Sequence, residues 1–538
     1  MVTVITPGGL KIKKQTKPQF TSERLLCQTI CQPVDIKIGL GKEEPMTITS
    51  SLERCIPEQQ GVSSSGILSF LEEIERQELE LHGFMLLRHG HVLAEGWWKP
   101  FRPEISHAVY SLTKSFTSIA AGFAVEEGLL SVDQRVLAYF PELDNPAIRE
   151  NIGDMKIKHL LTMTTGHEED TARFGATADF LQHITSARVG DRSDQDYVRA
   201  FMELPVTRDP GTFFLYNSGA SHVLGSIIER VVENRLVDYL QTRLFDPLGI
   251  ARPMWEQAPN GGNTGGWGLK LSTQDIAKFG QFLLNKGVWN GQRLISPEWI
   301  EQASSHQVDN KPIETVAGQP VNIDWIQGYG YQFWRCRHNA YRGDGAFGQY
   351  CIVMPDQDAV IAINGGLQDM QGVMDAVWKN LLPSMNEPCP AYDPAEHGRL
   401  SDKLASLEIG KQGIVGSLPW TTTAKKSFRI QENEQGLQKV SFTFEESQSI
   451  FEWLDDKGEH QLIAGVDDWN EANLLGGKKV TVKGVWLDQS RFVLYAYQID
   501  SPHHDRLVFY FHENTVNIQH EHLSFIPLKH EFIGVEEN

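Results

Sequence analysis

The sequence predicts a protein of helices and strands that ends in a small all-β domain. Between residues 106 and about 305, apolar side chains recur mostly at helical spacing. Strand patterns flank this stretch, with a hairpin over 84–97 before it and further strands between 329 and 364 after it. From about 420 to 538, apolar and polar residues alternate with a period of two, which is typical of antiparallel strands.

The predicted elements begin and end at recognisable local signals. A serine-rich N-cap at Ser63 precedes the first helix, and Ser272 with Asp275 resembles a capping box. Ser296, followed by proline, predicts another helix start. The predicted strands are 84–88, 92–97, 329–337, 341–345, 349–354, 359–364, 479–485, 491–497 and 506–511, with a further alternating run around 440–444.

The length of 538 residues favours two to four domains, at about 150 residues per domain. Residues 1–56 lack clear periodicity and are interpreted as an N-terminal extension of uncertain order. Residues 57–385 carry the mixed helix and strand patterns. Residues 386–419 are predicted to be a linker with one short helix, and residues 420–538 a small antiparallel β domain.

Composition limits the partners and the compartment. Acidic residues outnumber basic ones by 69 to 49, and the net charge of −20 argues against nucleic acid or an anionic membrane as the main partner. No apolar segment of signal-peptide type follows the N-terminal lysines, and no run of about 18 apolar residues occurs. We therefore expect no membrane span and a cytoplasmic location. The sequence does not indicate an oligomeric state.

Neither the cysteines nor the histidines predict a metal site. The six cysteines form no CxxC pair. Several histidines lie near the C-terminus, and they are interpreted as side chains on surface strands rather than as ligands. These are His503, His504, His512, His520 and His522.

The strongest chemical signal is the pair Ser111 and Lys114 at a predicted helix start. The spacing of three places both side chains on one face of a helix that is otherwise almost entirely apolar. Desolvation lowers the pKa of a buried lysine, so its neutral amine can take the proton of a serine hydroxyl. The backbone N–H of Ser111 could also stabilise an oxyanion. Taken alone, the pair fits equally well a plain N-cap with a lysine that extends to solvent.

Two further segments carry groups suited to the same chemistry. Tyr216 lies just before an amphipathic helix, where a phenol can face a cleft and relay a proton, although packing or capping is the alternative. In the segment 341–349, three glycines interrupt a predicted strand. Substrate could lie against such a strand, and a backbone N–H there could complete an oxyanion hole. The alternative is a twisted edge strand with a bulge.

In this order the three segments resemble the motifs of the serine β-lactamase-like superfamily. That superfamily includes class C β-lactamases, D-alanyl-D-alanine carboxypeptidases, related esterases and 6-aminohexanoate-oligomer hydrolases. Its pattern is Ser-x-x-Lys, then Tyr-x-Asn, then Lys or His-x-Gly on a strand. Ser111 and Lys114 match the first motif. Tyr216 matches the second, with Ser218 in the usual Asn place, and Gly345 matches the third. The likeness covers about 57–385.

The resemblance implies an α+β fold and a mechanism. An antiparallel sheet flanked by helices would carry a mostly helical insertion, with the cleft between them and the all-β domain following. Ser111 would attack an ester or amide carbonyl, with Lys114 as general base and Tyr216 as proton shuttle. The N–H groups of Ser111 and Ala346, the residue after Gly345, would hold the oxyanion. No metal or organic cofactor is needed.

One departure from the family pattern bears on the substrate. The basic position of the third motif falls on Gly343, which weakens recognition of a substrate carboxylate. Arg342 could compensate, although neighbouring strand residues point to opposite faces. A small-molecule ester or amide is therefore the expected substrate. Further residues implied in substrate binding are Ser218, Trp267, Arg342 and Phe347.

Three alternatives remain open at this point. The chain could be a β-lactamase or a peptidase acting on D-amino-acid substrates. It could be a module of the same fold that binds acyl groups without turnover. The C-terminal β domain could also be the functional part, as a module that binds a partner.

Overall fold

A computed structural model of the chain describes residues 52–174, 197–311, 322–385, 390–410, 425–466, 468–473, 479–524 and 528–537. The predicted N-terminal extension lies outside these residues up to position 51, as do both ends of the predicted linker. Within the described ranges, no helix is both long enough and apolar enough to cross a lipid bilayer.

A seven-stranded mixed sheet forms the centre of the region that precedes the linker. The strands of this region are β1 (Glu53–Arg54), β2 (Leu81–Arg88), β3 (His91–Trp97), β4 (His107–Ala108), β5 (Lys270–Leu271), β6 (Val288–Trp289), β7 (Gln292–Arg293), β8 (Trp334–Arg335), β9 (Tyr341–Gly345), β10 (Gln349–Met354) and β11 (Ala359–Gly365). The sheet order is β1-β3-β2-β11-β10-β9-β8, and its pairs are antiparallel except β1 with β3. The short β4 pairs with β5, and β6 pairs with β7.

Helices cover this sheet and form a separate layer beside it. The α-helices in the described residues are Ser64–Arg76, Thr113–Glu126, Pro146–Ile152, Ile157–Leu161, Thr171–Phe174, Tyr197–Glu203, Ser218–Val232, Leu236–Leu240, Asp246–Leu248, Thr273–Leu284, Pro297–Ser304, Met370–Ala376, Leu382–Ser384 and Pro394–Ala405. The predicted N-caps Ser63, Ser272 and Ser296 each accept a hydrogen bond from the first turn of their helix. Ser272 and Asp275 also form the predicted capping box.

The helix Thr113–Glu126 lies at the centre of this region. All residues from 113 to 124 are buried, as its apolar composition predicts. On one side Phe116 stacks on Phe279 of the helix Thr273–Leu284, with ring centres 3.9 Å apart. On another side the helix packs against Ser218–Val232. Its N-terminal end is therefore held between the sheet and the helical layer, and this position fixes the backbone around Ser111.

The C-terminal region forms a ten-stranded barrel. Its strands are β12 (Lys426–Ile430), β13 (Lys439–Phe444), β14 (Gln448–Asp455), β15 (Gly458–Gly465), β16 (Asn470–Asn473), β17 (Lys479–Trp486), β18 (Arg491–Tyr497), β19 (His504–His512), β20 (Thr515–Leu523) and β21 (Leu528–Glu536). The order is β15-β14-β13-β12-β21-β20-β19-β18-β17-β16, and Gly465 opposite Lys483 closes the ring. Aromatic side chains such as Phe442, Phe509 and Phe511 fill the interior.

The barrel packs directly on the region that contains the first sheet. One apolar cluster joins Val493 and Tyr495 of the barrel to Leu400 and Leu407. At its edge the phenol of Tyr497 donates a 3.0 Å hydrogen bond to a Glu80 carboxylate oxygen. The α+β fold with a C-terminal all-β domain is confirmed, and the two parts share a buried interface.

The predicted strand 329–337 is wrong over most of its length. Pairing with the sheet is limited to β8, Trp334–Arg335. Tyr329 forms isolated bridges with Val308 and Trp334. Gln332 has a φ of +65°, and the N–H of Gly330 donates to the Phe333 carbonyl in a tight turn. Tyr329 and Tyr331 are buried among other aromatic side chains instead of pairing in the sheet. Their apolar alternation therefore reflects core packing around a turn, which the period of two cannot distinguish from a strand.

Candidate active site

Ser111 lies in a 3-10 turn, Tyr110–Leu112, immediately before the helix Thr113–Glu126. Ser111 was predicted at the helix start, and it lies two residues before the first residue of the α-helix, Thr113. The side chain is partly exposed, whereas the residues that follow are buried. The preceding residue, Tyr110, has a φ of +46°, which is rare for a bulky side chain. The turn thus presents a serine hydroxyl at the end of a rigid, buried helix.

The lysine one helical turn later contacts that hydroxyl. Lys114 is 1% exposed, and its Nζ lies 2.8 Å from the Ser111 Oγ. The same nitrogen donates to the carbonyl oxygen of Gly266 at 2.8 Å and lies 3.3 Å from the Ser218 Oγ. A neutral amine has two N–H groups and one lone pair. In the neutral form the amine can donate to Gly266 and Ser218 and accept from the Ser111 hydroxyl, whereas an ammonium donates to all three.

Burial lowers the pKa of the Lys114 amine to about 8. The carboxylates of Asp170 and Asp344 act in the opposite direction, because negative charge stabilises the ammonium form. A substantial fraction of the amine is therefore neutral near pH 8. This is the condition that a lysine must meet to act as a base toward serine.

Tyr216 lies beside this pair. Its ring stacks on Trp334 with centres 5.2 Å apart, and the Lys114 Nζ lies 4.9 Å from its centre. Burial raises the pKa of the phenol above its ordinary value, while a hydrogen bond with Ser111 lowers it in part. The phenol therefore keeps its proton near neutral pH. It can therefore relay a proton between neighbouring groups, but it is not deprotonated in advance and so does not act as the general base.

Hydrogen bonds from the chain segment 163–171 fix the backbone on both sides of Tyr216. The N–H of Leu215 donates to the Met163 carbonyl at 2.9 Å. The Asn217 Oδ1 caps the helix Ser218–Val232 and accepts from the Thr171 hydroxyl at 2.8 Å. The N–H of Ser218 donates to Asp170 at 2.8 Å. Asp170 thus holds the Tyr216 segment in place and also contributes negative charge near Lys114.

The end of strand β9 lies against the nucleophile turn. A Cβ on Gly345 would lie 2.1 Å from the Val109 carbonyl oxygen and 3.1 Å from the Ser111 nitrogen. A Cβ on Gly343 would lie 2.5 Å from the Ser115 Oγ. Both glycines are therefore required by close approach of the strand to the turn. Ala346 begins the turn between β9 and β10, directly after the glycine that approaches the Ser111 backbone.

The prediction that Arg342 contacts substrate is not supported by its position. The side chain is fully buried, and its Nε donates to Asp344 at 2.9 Å. Its Nη1 donates to the Asp324 carbonyl at 2.7 Å, and the guanidinium lies over the Trp325 ring. This arrangement has a structural role beneath the sheet. It also holds Asp344, the residue beside Gly345, in a buried ion pair with an Nη2–Oδ2 distance of 2.8 Å.

Other predicted binding residues lie around Ser111. Trp267 is partly exposed, and it follows Gly266, whose carbonyl accepts from Lys114. Phe347 is nearly buried, and its ring centre lies 5.6 Å from that of Tyr110. Ser218 is within reach of Lys114, as described above. The structure thus places these three residues near the nucleophile, on different elements.

Sequence reasoning missed the groups that support this arrangement. The Gly266 carbonyl and the carboxylates of Asp170 and Asp344 are brought to Lys114 only by the tertiary fold. The Gln332 side chain is equally hidden from local pattern, since it accepts from Ser221 at 2.6 Å. The sequence has an acidic run at 168–170, which by itself is typical of a solvated loop, and nothing local indicates which carboxylate turns inward.

Comparison with known proteins identifies the family of this chain. A family model described as beta-lactamase matches residues 71–369, more than half of the chain, so the chain belongs to the beta-lactamase family. The predicted resemblance and enzyme class, a β-lactamase-related serine hydrolase, are confirmed by this match.

The relatives include hydrolases and esterases. The chain is 28% identical over 337 residues to the 6-aminohexanoate-dimer hydrolase of Paenarthrobacter ureafaciens, across 60% of this chain and 82% of that protein. It is 30% identical over 156 residues to the lovastatin esterase of Penicillium rubens, across 26% of this chain and 37% of that protein. Among solved structures, the octameric penicillin-binding protein homologue from Pyrococcus abyssi aligns with a TM-score of 0.46 and 16% identity, covering 87% of this chain and 99% of that chain.

Proposed function

We propose that the protein cleaves a small ester or amide through an acyl-enzyme on Ser111. The observation that carries this proposal is the 2.8 Å contact between the Ser111 Oγ and a fully buried lysine amine. The lowered pKa of Lys114, to about 8, supports a neutral amine at that contact. An N-cap with a solvent-exposed lysine, the alternative from sequence, does not account for the burial.

The acylation step follows from these neighbours. The Ser111 Oγ attacks the carbonyl carbon while the Lys114 amine takes the hydroxyl proton. The bond from that carbon to the alcohol or amine then breaks, and the leaving group takes a proton from the Tyr216 phenol. The Lys114 ammonium returns a proton to the phenol.

In deacylation water is the nucleophile and the Ser111 oxygen is the leaving group. Water attacks the acyl carbon and loses its proton to Lys114, and the Ser111 oxygen leaves and regains its proton. The developing oxyanion in both steps would accept hydrogen bonds from the N–H groups of Ser111 and Ala346. The contact between Gly345 and the Ser111 backbone supports this pairing of donors.

The charge at the strand supports an uncharged substrate. Position 343 has no room for a side chain, and the next residue is the buried Asp344. A substrate carboxylate held along β9 would thus find no basic partner at position 343, and the nearby Arg342 guanidinium is already paired with Asp344. The names of the two relatives, a hydrolase of the 6-aminohexanoate dimer and a lovastatin esterase, support an ester or amide class.

Substrates without a carboxylate should be preferred. A basic residue at position 343 would give a substrate carboxylate a charge-assisted hydrogen bond, and such a bond is worth about 1.5–3 kcal/mol. Its absence corresponds to a loss of about tenfold to hundredfold in kcat/KM for a substrate that depends on it. We expect p-nitrophenyl butyrate to exceed nitrocefin by at least about tenfold in kcat/KM. The matched comparison is p-nitrophenyl butyrate against the p-nitrophenyl monoester of succinic acid, which has the same leaving group and a terminal carboxylate. A higher kcat/KM for nitrocefin or for the succinate ester would contradict the proposed substrate class.

A further inference from the structure

The C-terminal barrel reaches the nucleophile turn through the connection between β18 and β19. The carbonyl of Asp500 accepts a 2.8 Å hydrogen bond from the N–H of Ala108, three residues before Ser111. The Asp500 carboxylate also pairs with Lys270 at 2.5 Å. This connection therefore contacts both β4 and β5, the short pair of strands from which the chain enters the turn.

His503, in the same connection, contacts the residue before the nucleophile. Its Nε2 lies 2.8 Å from the Tyr110 hydroxyl, and its Nδ1 lies 3.1 Å from the Leu523 carbonyl oxygen. A carbonyl can only accept, so Nδ1 carries a proton; in the neutral ring Nε2 is then the acceptor for the Tyr110 hydroxyl. His503 is 6% exposed, so its interpretation as a surface histidine is wrong.

Three rings meet at this point. The His503 ring centre lies 6.2 Å from that of Tyr110 and 5.7 Å from that of Phe347. The Tyr110 and Phe347 ring centres are 5.6 Å apart. Each pair crosses at a steep angle, between 62° and 85°, which is a favourable arrangement for aromatic rings. The barrel histidine thus packs against both aromatic residues at once.

Both aromatic residues have backbone angles that need support. Tyr110 has a φ of +46° and Phe347 has a φ of +64°. Bulky residues in this region are strained, and they persist only where their surroundings hold them. Tyr110 directly precedes Ser111, and Phe347 directly follows Ala346. The two strained residues therefore flank the two proposed oxyanion donors.

We propose that His503 of the barrel is a positioning residue that holds the Ser111 and Ala346 N–H groups in their oxyanion-binding geometry through Tyr110 and Phe347. This inference rests on the proposed function of Ser111. It assigns the barrel a part in the hydrolytic site itself, in contrast to a separate module that binds a partner.

The test compares two substitutions of His503 in the full-length chain. His503→Leu removes the acceptor of the Tyr110 hydroxyl. We expect kcat for p-nitrophenyl butyrate to fall at least about tenfold, while KM stays within about twofold. The reason is that misplaced oxyanion donors weaken binding of the transition state more than binding of the substrate. Labelling by a fluorophosphonate should slow in parallel. His503→Gln can present an amide oxygen near the Nε2 position and should recover most of kcat. His520→Leu, which removes another barrel histidine that pairs with Asp505, is the matched control and should keep wild-type kcat.

Melting curves and one further variant make the result decisive. If His503→Leu does not fold, Tyr110→Phe removes the hydroxyl alone and should lower kcat with KM retained. A folded His503→Leu or Tyr110→Phe with wild-type kcat would overturn the inference. Equal loss of kcat in His503→Leu and in the His520→Leu control would also overturn it. Ser111→Ala is measured in the same assay. If that variant stays active, the proposed function fails, whereas an inactive Ser111→Ala beside a fully active His503→Leu refutes the positioning role alone.

Discussion

Ser111→Ala is expected to lower turnover of p-nitrophenyl butyrate at least about a thousandfold, as removal of a covalent nucleophile generally does. Labelling by a fluorophosphonate probe should be abolished, because the probe reacts with the activated oxygen itself. The substitution removes one partly exposed oxygen atom, so the melting temperature should change little. Initial rates, labelling and melting curves of the same preparation measure all three.

The control for this substitution is a neighbouring serine. The Ser115 hydroxyl donates to the Gln332 carbonyl at 2.9 Å and is buried, so it is unavailable to a probe. Ser115→Ala should therefore still be labelled. If Ser111→Ala were labelled at the wild-type rate, the nucleophile would be another residue.

Lys114→Arg should be nearly as damaging as Lys114→Ala. A guanidinium remains protonated in proteins and cannot take the Ser111 proton near neutral pH. If Lys114 only supplied positive charge or packing, arginine would retain much of the activity. We expect both variants to lose at least about a hundredfold in kcat, within the range that general base catalysis contributes. Hydrolysis of one ester, with melting curves for each variant, makes the comparison.

The pH dependence gives a second measure of the base. A lysine is an active base only when neutral, so acylation should rise as pH increases through the lowered pKa of Lys114, about 8. The measured value belongs to the coupled group that includes Tyr216. An acylation rate that falls over this range, or that rises only near the ordinary lysine pKa, would argue against a buried neutral amine.

The chain offers a matched control for the arginine substitution. Lys278 is also a buried lysine, with its Nζ 2.8 Å from the Gly249 carbonyl oxygen, and burial lowers its pKa. It lies on the helix Thr273–Leu284 and does not contact Ser111. Lys278→Arg should keep its kcat if it folds. An active, folded Lys114→Arg would show that Lys114 is not the base.

Local sequence pattern predicted the parts of the site that depend on one element. The contact between Ser111 and Lys114 follows from a spacing of three at a helix start, and the burial of Lys114 follows from an apolar helix. Tyr216 and Gly345 carry weak local signals, and only their order along the chain, through the family resemblance, pointed to them. The strain at Tyr110 and the support from His503 depend on contacts about 390 residues apart, which no local pattern encodes.

In the barrel, too, local sequence pattern predicted the strands but not the contacts between distant segments. Alternation predicted antiparallel strands in the C-terminal region, and several bounds agree closely, such as 491–497. Strand order and closure depend on the pairing of β12 with β21 and of β15 with β17, which periodicity does not specify. The burial of Arg342 and Asp344 could not be predicted either, because sequence alone does not show what covers a strand face. A charged pair on one strand face looks the same in sequence whether that face is in a cleft or beneath a tryptophan.

The covalent intermediate is the most direct measure of the central claim. The protein is mixed with a slowly hydrolysed ester, quenched in acid during turnover and digested, and the mass of each peptide is determined. The account predicts one acyl group on the peptide that contains Ser111, absent from Ser111→Ala and lost from the wild type as turnover ends. An acyl group on a different residue, or rapid hydrolysis without any acylated peptide, would contradict it.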